Sequence, residues 1–169
     1  MKKVLKVQKL TAESFKPYGQ LIEAQTFQPA IAEPDFTFWN NLAQLTNEGK
    51  VDFCMLEVVE RERSFSKIER HLKTEEAFFA LDGDCIMLAS DPTPGEKYPN
   101  PEETAAFYLE QGKGVIFDRG AWHWLPFPLK EKNRLLVLCR QGTSDEDCEI
   151  VDMQDQGVTF EIKLASADR

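Results

Sequence analysis

The stretch GVIFDRGAWHW, residues 114–124, runs from an apolar segment through a turn to one of the two histidines in a chain of 169 residues. GVIF is short, β-branched and aromatic, the composition of a strand, and DRG behind it supplies turn chemistry. His123 therefore stands at a strand-and-turn junction. The same texture recurs in VDFCMLEVVE (51–60), EAFFALDGDCIMLAS (76–90), AAFYLEQ (105–111), RLLVLCR (134–140) and GVTFEIKL (157–164). DPTPGEKYPNPEE (91–103), dense in proline and glycine, reads as one long surface loop. Helical periodicity is weak, and its best case is TAESFKPYG (11–19), where Thr11 caps a short helix that Pro17 and Gly19 stop. The expected fold is mainly β, a sandwich or barrel with the jelly roll among the ways to limit open edges. Residues 1–50 are expected to wrap that barrel with a few strands and a short helix, and residues 51–169 to form it.

A chain of this length holds one domain with a sizeable core. Hydrophobic residues make up 42% and charged residues 29%, an ordinary globular balance. No apolar run approaches the roughly 18 to 20 residues that span a bilayer, so a soluble protein is expected. The opening MKKVLKVQKL regains charge at Lys6 and Lys9 too soon for a signal-peptide core, and reads as an amphipathic first strand. Four cysteines show no C-x-x-C or other zinc-type spacing, which points to buried thiols in a reducing cytosol. A formal net charge of -9 argues against nucleic acid and against an anionic membrane as partners, because both attract lysine and arginine. Nucleotide-binding glycine loops and the G-x-S-x-G nucleophile elbow are missing from the sequence.

The second histidine, His71, lies in KIERHLKTEEAFFALDGD. Its context is Glu69-x-His71-x4-Glu76-x6-Gly83, and that of His123 is Gly114-x5-Gly120-x2-His123. These resemble the two motifs of the cupin superfamily, a double-stranded β-helix or jelly-roll barrel. The period of two along a strand sends residues 69 and 71 to one face, and a turn brings 76 back on the neighbouring strand. His123 is then expected from the opposite side. Glu69 stands where a cupin usually has histidine, and Asp118 where the second motif usually has proline. The potential ligand set, Glu69, His71, Glu76 and His123, suits one divalent transition metal, Mn, Fe, Ni or Zn. A metal-free site in which the carboxylates act as acid, base or hydrogen-bonding groups is the alternative.

Within the cupins, the chain resembles the ureidoglycolate lyase family, long called ureidoglycolate hydrolase. The likeness rests on Ile68-Glu69-Arg70-His71, Ala77-Phe78, Gly114-Val115, Trp122-His123-Trp124, Arg140-Gln141-Gly142 and Cys148-Glu149. It departs from the family at Leu72-Lys73-Thr74-Glu75-Glu76, at Trp124 and at Phe38-Trp39-Asn40. The resemblance implies a homodimer, and a reaction that splits ureidoglycolate into glyoxylate and urea in purine breakdown. A base must take the hydroxyl proton, an acid must protonate the departing nitrogen, and a cation must hold the carboxylate. His123 and Glu76 fit base and acid, in either order, with His71 beside them. Arg140 or Arg70 fits the carboxylate clamp, Arg140 better, since alternation turns Arg70 away from the face of residues 69 and 71. Trp122 and Trp124 are candidate pocket walls, against the simpler reading of core tryptophans. The acidic run DEDCE (145–149) reads as solvated surface. The other class of function is a cupin that binds or converts a different small acidic metabolite or a sugar derivative.

Overall fold

The computed structural model describes residues 1–24 and 28–164; residues 25–27 and 165–169, which the single-domain reading also spans, lie outside the described residues. The strands are β1 (Lys2–Lys9), β2 (Gly19–Ile22), β3 (Ile31–Ala32), β4 (Thr37–Phe38), β5 (Val51–Val59), β6 (Ser64–Phe65), β7 (Lys67–Arg70) and β8 (Glu76–Ala80). They continue as β9 (Cys85–Ser90), β10 (Ala105–Leu109), β11 (Gly114–Phe117), β12 (Trp122–Pro128), β13 (Lys132–Arg140), β14 (Glu149–Asp152) and β15 (Thr159–Lys163). The α-helices are α1 (Ala12–Phe15) and α2 (Thr143–Glu146), one turn each. Thr11 caps α1 as its sequence predicts, its hydroxyl accepting from the Ser14 amide.

Two sheets form a jelly roll. One runs β14-β7-β12-β9-β10-β1-β15-β6, the other β2-β11-β8-β13-β5, and β3 pairs with β4 alone. Segment 76–90 divides between them: β8 belongs to the smaller sheet and β9 to the larger. The amphipathic first strand is observed, and β1 lies inside the larger sheet between β10 and β15.

Every residue of β9 is buried, and alternation explains how. Cys85, Met87 and Ala89 enter one core with Phe15, Phe78, Phe107, Phe117 and Leu135, contributed from both sheets. Ile86 and Leu88 enter a second core on the other face of the larger sheet, with Leu5, Ile68, Trp122, Phe127, Met153 and Phe160. A strand buried on both faces reads as a continuous apolar run, which is why CIMLA carries no polar residue.

The motif glycines answer to geometry. A Cβ at Gly114 would stand 2.7 Å from the Phe78 carbonyl oxygen, so the β11–β8 pairing needs a bare backbone there. Gly120 has φ +81, a left-handed conformation that closes the turn before β12. Its amide donates to the His71 carbonyl at 2.6 Å, tying the segments that carry both histidines.

The loop at 91–104 connects β9 to β10 and contains one 3-10 turn at Pro101–Glu103. Arg70 pins it, donating to the carbonyls of Thr93 and Glu96 at 3.0 Å each.

Candidate active site

Glu69 on β7 and His123 on β12 are register partners in the larger sheet, and their side chains turn to the same side. His71 follows β7 by one residue. Glu76 opens β8, which lies in the smaller sheet. Expectation and structure differ here: Glu76 arrives from the facing sheet, whereas His123 comes from the strand beside Glu69. The turn at 72–75 crosses from one sheet to the other, so no neighbouring strand could carry Glu76.

The four side chains converge. Glu76 Oε2 lies 3.2 Å from His71 Nε2 and 3.0 Å from His123 Nε2. Glu69 Oε1 stands 3.8 Å from His123 Nε2. His123 is 1% exposed and stacks on Phe117, with centroids 4.6 Å apart. The other ring nitrogens face carbonyls: His71 Nδ1 is 2.5 Å from Asp147 O and His123 Nδ1 is 3.2 Å from Ala121 O.

That wiring has a chemical consequence. Each imidazole meets an acceptor at Nδ1 and a carboxylate at Nε2, and a neutral imidazole has one N–H to give. Each ring thus has one more acceptor around it than a single N–H can serve, an arrangement that a metal ion at Nε2 would also satisfy. One donor atom from each of Glu69, His71 and His123 lies within 4.8 Å of the others. Two imidazoles and a carboxylate match the ligands of a divalent transition metal, so the residues fit such an ion.

Burial works to lower the His71 pKa, but the hydrogen bond and charge of Glu76, with Asp147 O and Glu69, outweigh it and raise it to about 9. Burial likewise works to raise the Glu76 pKa, and its bonds to His123 and His71 overcome that and lower it to about 2. Linkage sets the signs. His71 contributes stability that is full below its ordinary 6.5 and is lost as pH rises through about 9. Glu76 contributes stability that is present above its ordinary 4.5 and is lost as pH falls toward about 2. Chelator-treated protein should therefore exceed a Glu76→Gln variant in Tm by most between pH 4.5 and 6.5. Scanning calorimetry from pH 3 to 10 measures it, and a constant difference across that range would refute the charged pair.

The cluster opens into a cavity of about 300 Å³ whose wall includes Glu69, His71, Glu76, Leu56, Phe78 and Thr143. Ser144, Leu125, Cys54, Cys139 and Cys148 complete much of it. His123 lies beneath Glu76 rather than in the wall. All four cysteines are free; Cys85 and Cys139 are buried as expected, but Cys54 and Cys148 are exposed. Cys148 Sγ is 3.4 Å from Glu69 Oε2, and burial together with Glu69 pushes its thiol up to about 12. It stays a thiol and donates to that carboxylate.

Four further sequence candidates fall outside both this wall and the cluster. Arg70 is buried on the opposite face, bonded to Glu149 at 2.8 Å and lying 4.4 Å from the Trp122 ring centre. Trp122 is fully buried in the second core, and Trp124 packs against the same cluster. Strict alternation around His123 sends both rings to the far side of the sheet, so they are core rather than pocket walls. Arg140, the favoured clamp, lines a separate concavity, with Nη2 3.1 Å from Glu146 Oε2.

Asp147 was hidden in DEDCE, and its reading as solvated surface is corrected: it is 6% exposed. Its carboxylate accepts from the amides of Leu72 and Lys73 at 2.8 Å each, while its carbonyl holds His71. Nothing in the local sequence marks it, since its partners lie more than seventy residues away.

Two facing, mainly antiparallel sheets carrying a carboxylate-and-histidine cluster between them define a cupin. Within that class the chain belongs to the ureidoglycolate lyase family, whose model matches residues 2–161. It is 29% identical over 150 residues to the ureidoglycolate lyase of Brucella melitensis biotype 2, covering 83% of this chain and 85% of that one. It is 26% identical over 148 residues to the ureidoglycolate lyase of Pseudomonas savastanoi pv. phaseolicola, covering 84% and 85%. Among solved structures, RmlC from Streptococcus suis matches at 15% identity with a TM-score of 0.43, over 72% of this chain and 64% of that one. No helix among the described residues is long and apolar enough to cross a membrane.

Proposed function

We propose that this chain is a cytoplasmic lyase that splits ureidoglycolate into glyoxylate and urea. The observation that carries the reading is Glu76 Oε2 held between two imidazole nitrogens at 3.0 and 3.2 Å, beside a small cavity, in a chain of this family. Ureidoglycolate carries a hydroxyl, a carboxylate and a ureido nitrogen on one carbon. Glu76, kept ionised by the histidines, takes the hydroxyl proton as the carbonyl of glyoxylate forms and the C–N bond breaks. His71, kept protonated at neutral pH, gives its Nε2 proton to the departing urea nitrogen. The Glu76–His71 contact then returns the proton from carboxylate to imidazole and restores the starting state. His123 holds Glu76 in place from below.

With both arginines outside the wall, the substrate carboxylate must find its positive charge in the cluster itself. In a metal-bound alternative, a divalent ion such as Mn, Fe, Ni or Zn, held by Glu69, His71 and His123, would supply Lewis-acid polarisation of the substrate's oxygens; it would take the place of the His71 Nε2 proton and leave Glu76 both to take the hydroxyl proton and to pass it to the urea nitrogen. The Ser144 hydroxyl, on the wall, offers the carboxylate a further donor.

Glyoxylate release from racemic ureidoglycolate, measured with and without chelator and against His123→Ala, tests the proposal. Release above the spontaneous rate that falls in the variant supports it. Release at the spontaneous rate alone, from protein supplied with each of the four metals in turn, would turn the reading to a cupin acting on another small acid.

The subunit arrangement that fits is a homodimer. Strand β5 is an edge of the smaller sheet, nine residues long, and exposes Phe53 at 73%, Met55 at 59% and Val59 at 56%. A long apolar edge invites pairing with a second copy of itself. Light scattering at micromolar concentration should report twice 19.4 kDa, and a single-chain mass would exclude this arrangement. The free thiols of all four cysteines fit a reducing cytoplasm.

A further inference from the structure

The concavity that receives Arg140 is a separate feature of about 510 Å³, lined by Lys73, Arg119 and Arg140 together with Glu48, Gly49 and Leu72. Three cations around one hollow reverse the sign of a chain whose net charge is -9. Two carboxylates face them: Glu48 on the wall and Glu146, which takes Arg140 Nη2 at 3.1 Å. The other cations meet neutral groups. Arg119 Nη2 donates to Thr46 O at 3.0 Å and Lys73 Nζ to Glu146 O at 3.4 Å. A carbonyl lends a lone pair but no countercharge.

Arg140 adds a sharper signal. Its Nε is buried and has no hydrogen-bond partner among the described residues. A guanidinium N–H withdrawn from water without an acceptor is costly, and native proteins seldom leave one so. This N–H is out of reach of water while Nη2 is held by Glu146, so an oxyanion that draws the guanidinium off Glu146 would free the planar donor fork for two-point engagement and give Nε the acceptor it lacks.

We propose that this concavity is a second binding site, for a small oxyanion bearing carboxylate or phosphate groups, distinct from the catalytic cavity. The bound anion bridges Lys73, Arg119 and Arg140. The site also reaches the catalytic cluster. Arg140 holds Glu146 at the end of α2, and the next residue, Asp147, accepts from the Lys73 amide and holds His71 through its carbonyl. An anion that draws Arg140 from Glu146 thus acts one residue from the group that orients His71. The inference stands apart from the lyase reading, since it uses none of the catalytic side chains.

Isothermal titration calorimetry on the full chain, with inorganic phosphate in one arm and succinate in the other at ionic strength held constant with sodium chloride, tests it. Saturable binding of either anion at one site per chain is expected. The double variant Lys73→Gln/Arg119→Gln changes two exposed side chains and should weaken binding about tenfold or more, as loss of charge-assisted hydrogen bonds implies. His123→Ala should bind as the wild type does. Absence of saturable heat from both anions, or an affinity unchanged in the double variant, overturns the proposal; so does binding that is lost in His123→Ala while the double variant keeps it.

Discussion

Glu76→Gln is expected to lower kcat by about 10²- to 10⁴-fold, the usual worth of a positioned acid–base group. The amide nearly matches the carboxylate in shape, so the cavity should keep its form. Two properties are lost together. A glutamine cannot take up the substrate's hydroxyl proton, and it no longer presents negative charge to His71 Nε2 at 3.2 Å and His123 Nε2 at 3.0 Å. The His71 pKa, raised to about 9 mainly against burial by Glu76, should fall, removing the protonated acid at neutral pH. The variant should therefore lose base and acid at once. Steady-state glyoxylate release measures the loss, and circular dichroism checks that the fold survives. Activity within a few-fold of wild type would mean that proton transfer runs through another group.

Trp122→Ala is expected to do the opposite: to cost about 3–5 kcal/mol of stability while leaving KM close to the wild-type value. Its indole is fully buried in the second core, donates through Nε1 to Thr93 Oγ1 at 2.8 Å, and carries the Arg70 guanidinium over its face at 4.4 Å. Truncation removes the packing and leaves Arg70 without its aromatic support. The substrate, on the far side of the larger sheet, should not feel the change directly. Urea unfolding gives the first number, and kinetics at low temperature, where the variant stays folded, give the second. A large rise in KM with little loss of stability would restore Trp122 as a pocket wall.

Between them the two variants separate the faces of a single strand. His123 and Trp122 are adjacent on β12, yet one faces the carboxylate cluster and the other the second core. The sequence left this division open, keeping Trp122 as a candidate pocket wall beside the simpler core reading, although successive side chains on a strand point to opposite faces. The same rule placed Glu69 with His71 and turned Arg70 away, and the glycines and short apolar runs marked the strands and turns of a jelly roll.

Alternation along the chain, read together with the likeness to the two cupin motifs, was thus enough to name the fold class and the four residues that converge. It could not assign the sheets. Glu76 faces the histidines from the smaller sheet because β8 pairs with β11 and β13, a choice set by packing among distant strands. Arg140 carries a plausible clamp in its chemistry, but its side chain leans toward Glu146 and a second concavity, which its local sequence does not encode. Asp147 is the plainest case. In sequence it is one acid among several at 145–149, and only the chain crossing that brings residue 147 to residues 71–73 turns it into a buried anchor. Local pattern reports which way a side chain points, whereas long-range closure of the barrel decides what it points at.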